Sequence, residues 1–284
     1  MTPKLHRELT SLEGRLVDNS GDKEAKEEIF DRFYKDLEFG TGGLRGILGA
    51  GTNRMNIFTV RRATQGFADY INRYYSGRDK HPAVAIAYDS RNFSTRFALE
   101  AAGVLAANDI KVYLYPELMP TPALSFAVRY YDCAGGIMIT ASHNPANYNG
   151  YKVYNEEGCQ VTQDAASEIL RCIEKVDIFT GVKTLGEELE SINESRFRDE
   201  LHHEFICIIP PETTEAYMEA VKANRIGVEC EDLEVVYTPL NGTGNKPVRR
   251  ILAEIGVEKV HVVPEQENPD GNFPTCSYPN PEKE

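Results

Sequence analysis

Ser142 stands in the segment TASHNPANYNGYKVY, residues 140–154, which leaves one apolar run, GGIMIT at 135–140, and enters another, GYKVYN at 150–155. Asn144-Pro145 and Asn149-Gly150 are turn dipeptides, so the serine is offered on a loop between two strands. Acyl transfer is one chemistry such a serine could do, but no G-x-S-x-G elbow is present and His143 directly follows Ser142, an arrangement in which side chains diverge. Serine hydrolysis is therefore disfavoured. On a strand of period two, Lys152 and Tyr154 share a face, and the Asn-Gly turn can bring that face back over Ser142.

A second constellation is GTGGLRG at residues 40–46. Its glycines permit positive φ and close backbone approach, so N–H groups there could meet a phosphate, with Arg45 as a bidentate fork. Taken alone, a structural turn is the favoured reading. Asn53 and Arg54 help to shape the same loop. Asp89-Ser90-Arg91 follows the apolar run AVAIAY, and Arg91 either pairs with Asp89 or brackets the Ser142 loop.

The elements that must position these residues alternate. Helices are expected over residues 1–17 and about 23–38, then at about 57–76, 94–107, just after Pro120, and 162–176; strands are expected at 83–88, 109–115, 135–140 and 150–155. This order predicts an α/β fold, a three-layer α/β/α arrangement on a mixed sheet, with ligands at the carboxyl ends of strands. Residues 186–200 are acidic and weakly apolar and read as a solvated connector. A second, partial α/β domain is expected from 205 on, with helices at about 212–224 and 246–255 and strands at 233–238 and 259–263. The expected division is a helical extension (1–38), a first domain (39–185), a connector (186–204) and an incomplete second domain (205–284). The tyrosine pairs Tyr74-Tyr75 and Tyr130-Tyr131 read as packing at helix ends.

Length and charge bound the function. A chain of 284 residues suggests one large domain or two modest ones. With 31 basic and 44 acidic residues the formal net charge is −13, which argues against a general grip on nucleic acid or anionic lipid. An anionic substrate must meet a local basic cluster. The opening residues lack the apolar core of a secretory signal and no stretch approaches a membrane span, so a cytoplasmic location is expected. Six scattered cysteines, without a C-x-x-C pair, suggest reduced thiols rather than disulfides or zinc.

The segments TASHNPANYNGYKVY, FGTGGLRGILGAGTNRMN (39–56), AYDSR (87–91) and VVYTPLNGTGNKPV (235–248) together resemble the α-D-phosphohexomutases, in particular the phosphoglucomutase/phosphomannomutase group with its phosphopentomutase-like branch. The resemblance runs from about residue 35 to the last residue. It implies that Ser142 carries a phosphoryl group, gives it to a sugar monophosphate and recovers the other phosphate from a bisphosphate intermediate, with glucose 1,6-bisphosphate as primer. It also implies Lys152 as acid/base, Arg45 facing the phosphoserine, and His143, Asn144, Gly42, Gly43 and Arg91 as substrate- or phosphate-binding positions. Mg²⁺ is the implied cofactor, with Ser142 as a ligand through its phosphate.

Two departures from the family pattern stand out. The D-x-D-x-D-R loop that holds Mg²⁺ in the family does not occur in these residues; the late acidic stretch Glu265–Asp270 lacks its alternation. The sugar-specificity and phosphate-binding segments of later family domains are not found either. The expectation is therefore a truncated chain covering the first domain and about half of the second, with little mutase activity of its own and an exposed edge that could self-associate. The alternatives are a non-catalytic module binding a phosphosugar or a partner protein, and a phosphopentomutase parent. The sugar is not fixed by these motifs.

Overall fold

A computed structural model of the chain describes residues 2–77, 81–227, 230, 232–276 and 278–280, so part of the late stretch 277–284 lies outside the described residues. The chain opens with helices α1 (Thr2–Asp18) and α2 (Lys23–Phe33). The second begins where the Asp22 carboxylate accepts from the Ala25 amide at 2.9 Å. Both helices are tied to the glycine-rich loop. Arg32 donates to Glu8 and to the Ala50 carbonyl, and Glu8 accepts from the Ala50 amide. A Cβ on Gly51, where φ is +131°, would lie 2.4 Å from the Arg32 carbonyl oxygen, so only glycine allows this contact.

There follow β1 (Gly43–Ile47), α3 (Ile57–Tyr74), β2 (Ala83–Tyr88), α4 (Ser94–Ala106), β3 (Lys111–Leu114), α5 (Thr121–Tyr130), β4 (Gly135–Ile139), β5 (Tyr148–Tyr154) and α6 (Gln163–Ile173). A capping box opens α3: Asn56 Oδ1 accepts from the Phe58 and Thr59 amides while Thr59 Oγ1 accepts from the Asn56 amide. Its Val60, Ala63, Phe67 and Ile71 face the core at helical spacing. The runs AVAIAY and GGIMI are buried along their whole length, as central strands covered on both faces should be.

Two single-turn helices, α7 (Glu187–Glu190) and α8 (Phe197–Glu200), lead to β6 (Ile206–Ile208). The sheet order is β1-β5-β4-β2-β3-β6, with β2, β3, β4 and β6 parallel and β1 and β5 antiparallel to their neighbours. The fold is thus the mixed-sheet α/β arrangement the element order predicts.

Two expectations are corrected here. Residues 186–204 are not merely solvated, because Leu189, Phe197 and Leu201 are buried and the Leu189 carbonyl accepts from Arg96 at 2.9 Å. Their sparse apolar residues fall at the contacting positions, which the acidic composition hides. Residues 206–208, which the sequence places at the start of the second unit with no strand assigned, form β6 at the edge of the first sheet, registered on β3 through Val112↔Ile206.

The second unit contains α9 (Pro211–Lys222), β7 (Glu234–Tyr237), α10 (Asn245–Glu254), β8 (Lys259–Val262) and α11 (Pro264–Glu267), with β7 and β8 paired in parallel. It docks on the first domain through α9. Tyr217 packs on Phe126 with ring centroids 5.6 Å apart, and the Tyr131 hydroxyl hydrogen-bonds Thr213. No helix among the described residues is long and apolar enough to cross a membrane.

Candidate active site

Strands β1 and β5 bring the two candidate cations together. Gly43 pairs with Lys152 and Arg45 with Gly150, so Arg45 and Lys152 lie diagonally on one face of the sheet. The glycines make this possible. A Cβ on Gly43 would sit 2.1 Å from the Tyr151 carbonyl oxygen, and one on Gly150 would sit 2.5 Å from that of Thr140. Gly42 has φ +120°, and its amide is spent on the Gly40 carbonyl at 2.7 Å. In this structure Gly43 lets β1 close on β5, and the Gly42 amide, which the sequence offered to a phosphate, is engaged within its own loop.

Ser142 follows β4 with φ 55°, a left-handed conformation that is uncommon for a residue with a Cβ. Its amide donates to Thr140 Oγ1 at 2.9 Å, and Lys152 Nζ donates to its Oγ at 2.8 Å. Arg45 Nη1 donates to Asn144 Oδ1 at 3.1 Å. Ser142, Lys152, Arg45 and Asn144 are thereby linked pairwise at the carboxyl edge of β4. His143 is exposed on the same loop.

Arg91 is only 3% exposed. Its Nη1 donates to the Pro145 and Tyr148 carbonyls and its Nη2 to those of Ser142 and Asn144, at 2.5–3.2 Å. Three of these oxygens lie in the Ser142 loop and the fourth, that of Tyr148, where the loop enters β5. With both terminal nitrogens so engaged, Arg91 shapes the loop and does not face a phosphate, a correction to its inclusion among phosphate-binding candidates. Asp89 accepts from the Arg91 amide and from Ser94 Oγ. Burial pushes the Asp89 carboxyl up, against the opposing effect of hydrogen bonds from Thr140, the Arg91 amide and Ser94. Burial first, and Arg45 second, hold the Lys152 amine below the ordinary lysine value, with Asp89 opposing.

A cleft of about 390 Å³ opens at Ser142. One wall is Asp89, Thr121 and Thr140 from the first domain; the other is Pro239, Leu240, Thr243 and Phe273 from the second. These second-wall residues were not singled out individually from sequence, although Pro239, Leu240 and Thr243 fall within VVYTPLNGTGNKPV. Leu240 and Asn241, both with positive φ, carry the turn there. A larger cavity of about 540 Å³, lined by Glu117, Met119, Met218 and Lys246 among others, does not include Ser142. Ser142 lines the smaller of the two.

Among the described residues no three His, Cys, Asp or Glu side chains converge to hold a metal ion. Asp89, the carboxylate lining this cleft, is already engaged by Ser94 and the Arg91 amide. These residues do not make a Mg²⁺ centre by themselves.

Comparison with known proteins gives this site a parentage. The family model for phosphoglucomutase/phosphomannomutase α/β/α domain I matches residues 36–178, and that for domain II matches residues 215–284. A phosphoglucomutase of Staphylococcus epidermidis is 37% identical over 273 residues, covering 95% of this chain and 47% of the relative. One from Staphylococcus aureus (strain bovine RF122) is 38% identical over 269 residues, 94% of this chain and 46% of the relative. A solved structure from Thermus thermophilus, assigned as a phosphomannomutase, superposes with a TM-score of 0.66 at 26% identity, covering 86% of this chain and 48% of that one. The chain spans about half the length of the curated relatives it matches. With both domain models matched in order and the Ser142 loop inside the first, the chain belongs to the phosphoglucomutase/phosphomannomutase family.

Proposed function

We propose that Ser142 is the phosphoryl carrier of a phosphosugar mutase that interconverts hexose 1-phosphate and hexose 6-phosphate. The observation that carries this reading is the 2.8 Å hydrogen bond from Lys152 Nζ to Ser142 Oγ, with Arg45 diagonal to Lys152 on the sheet and Ser142 lining a cleft. In the proposed step a bond forms between Ser142 Oγ and phosphorus while the bond from phosphorus to a sugar oxygen breaks. The serine proton passes to Lys152, and the released sugar oxygen takes up a proton from that amine. Reversal onto the other hydroxyl completes the exchange. Arg45 and, from its exposed position, His143 would meet the phosphate oxygens, whose charge must be stabilised during transfer.

Mg²⁺, generally used by this family, would supply further charge neutralisation when bound. Because the described residues offer no carboxylate cluster for it, we propose that these 284 residues on their own load Ser142 slowly and turn over little. Glucose 1,6-bisphosphate is the proposed primer. A reducing, cytoplasmic setting is proposed from the six scattered cysteines, which include no C-x-x-C pair. Self-association through the second unit rests on one observation, the 76% exposure of Val236 on β7.

Incubation with glucose 1,6-bisphosphate labelled in its phosphates tests the reading. Acid-stable, alkali-labile label on the protein, lost in Ser142→Ala, is expected. Saturable binding of the bisphosphate without any label would favour the competing reading, a binding module that performs no transfer.

A further inference from the structure

The Ser142 loop is held from behind by Arg91, and Arg91 is itself covered by the second unit. The Arg91 guanidinium lies over the ring of Phe273, its carbon 5.1 Å from the centroid. Phe273 is buried, at 7% exposure, and has φ 47°, an outlier conformation for an aromatic residue. The turn that holds it there is well anchored. Asn272 donates its amide to Asp270 Oδ1 at 2.8 Å, the Asp270 amide reaches the Asn241 carbonyl at 3.0 Å, and Asn241 Nδ2 donates to the Asn268 carbonyl at 2.8 Å.

The same turn grips the residue after Arg91. Asn92 Nδ2 donates to Asn272 Oδ1 at 3.0 Å, and a Cβ on Gly271 would meet the Asn92 amide nitrogen at 2.5 Å. The Asn92 carbonyl in turn accepts from Asn149 Nδ2, at 3.0 Å, on the strand that carries Lys152. The second unit therefore touches both arms of the site through one turn.

We propose that Phe273 is a positioning residue for Ser142: its ring fixes the Arg91 guanidinium, whose hydrogen bonds to four carbonyls fix the serine loop. Docking of the 268–276 turn then sets the nucleophile's geometry, although Phe273 takes no part in the transfer. A buried guanidinium on an aromatic face gains most from the ring's negative face, so a leucine of similar bulk does not replace it and a tyrosine does.

The proposal rests on the Ser142 reading for its consequence in catalysis, but its test does not. Amide hydrogen exchange at Ser142 and Asn144 is compared in the full chain and in Phe273→Leu, Phe273→Tyr and Gly271→Ala. We expect exchange to quicken roughly threefold to thirtyfold in Phe273→Leu, to change less than about twofold in Phe273→Tyr, and to quicken in Gly271→Ala, where the turn is displaced with the ring intact. Exchange in β2 and β4 serves as the folding control. Unchanged loop exchange in Phe273→Leu, or equal loss in Phe273→Leu and Phe273→Tyr, would overturn the proposal. If Phe273→Leu does not fold, unchanged loop exchange in Gly271→Ala overturns it and faster exchange supports it. Failure of wild-type Ser142 to take up phosphate would count against the function and leave this exchange result standing.

Discussion

Lys152 Nζ donates to Ser142 Oγ at 2.8 Å although the two residues stand on opposite sides of a loop. The antiparallel register of β4 and β5 brings them together, with Met138 opposite Lys152. If the amine moves the serine proton, two substitutions separate charge from proton transfer. Lys152→Met is expected to slow labelling of Ser142 by about 10²- to 10⁴-fold. Lys152→Arg keeps the charge but cannot give up a proton, so it should be nearly as impaired. Rates of label uptake from glucose 1,6-bisphosphate check both.

The lowered Lys152 value gives the pH dependence its sign. More of the amine is neutral near physiological pH than the ordinary value of 10.5 would allow, so labelling should rise with pH and level off at a midpoint below 10.5. For stability, the folded pKa lies below the unfolded one. The cation therefore opposes folding at pH values below the lowered pKa, and this effect disappears as pH rises to 10.5. Lys152→Met should leave the thermal midpoint at pH 7 unchanged or slightly higher while slowing labelling; a lower midpoint would contradict this.

Arg91→Lys replaces a planar fork with a point charge and leaves several loop carbonyls without their donor. A loss of about 2–4 kcal/mol is expected. Urea unfolding followed by a first-domain probe measures it, and a loss below about 0.5 kcal/mol would show that water replaces those bonds without cost.

Gly43→Ala tests the closure of β1 on β5. With the Tyr151 carbonyl oxygen 2.1 Å from the new Cβ, the strands must separate, carrying Arg45 away from Asn144. A destabilisation of about 1–3 kcal/mol is expected together with slower labelling. Gly77→Ala, at a glycine with nothing within 4 Å but φ +81°, is the control for backbone conformation alone, and should cost only about 1 kcal/mol.

Much of this arrangement was legible in the residues, for identifiable reasons. Runs such as AVAIAY are too short and too apolar to be anything but buried strands, and the helices between them carry caps and period-appropriate apolar residues. The loop bearing Ser142 announced itself by its turn dipeptides. What the residues concealed depends on long-range partners. Strand β1 is so rich in glycine that it reads as a loop, and it becomes a strand only because β5 lies beside it. Strand β6 has three residues and is defined by its pairing to β3. The burial of Arg91 under Phe273, 182 positions along, has no local signature at all.

The central claim is that Ser142 itself accepts the phosphoryl group. Peptide-mapping mass spectrometry after prolonged incubation of the chain with glucose 1,6-bisphosphate and Mg²⁺ tests it most directly. One phosphoryl group is expected on Ser142 in the peptide spanning TASHNPANYNGYK, absent from Ser142→Ala and strongly reduced in Lys152→Met. An unmodified Ser142 peptide, or phosphate found on another residue and undiminished in Ser142→Ala, would contradict the account.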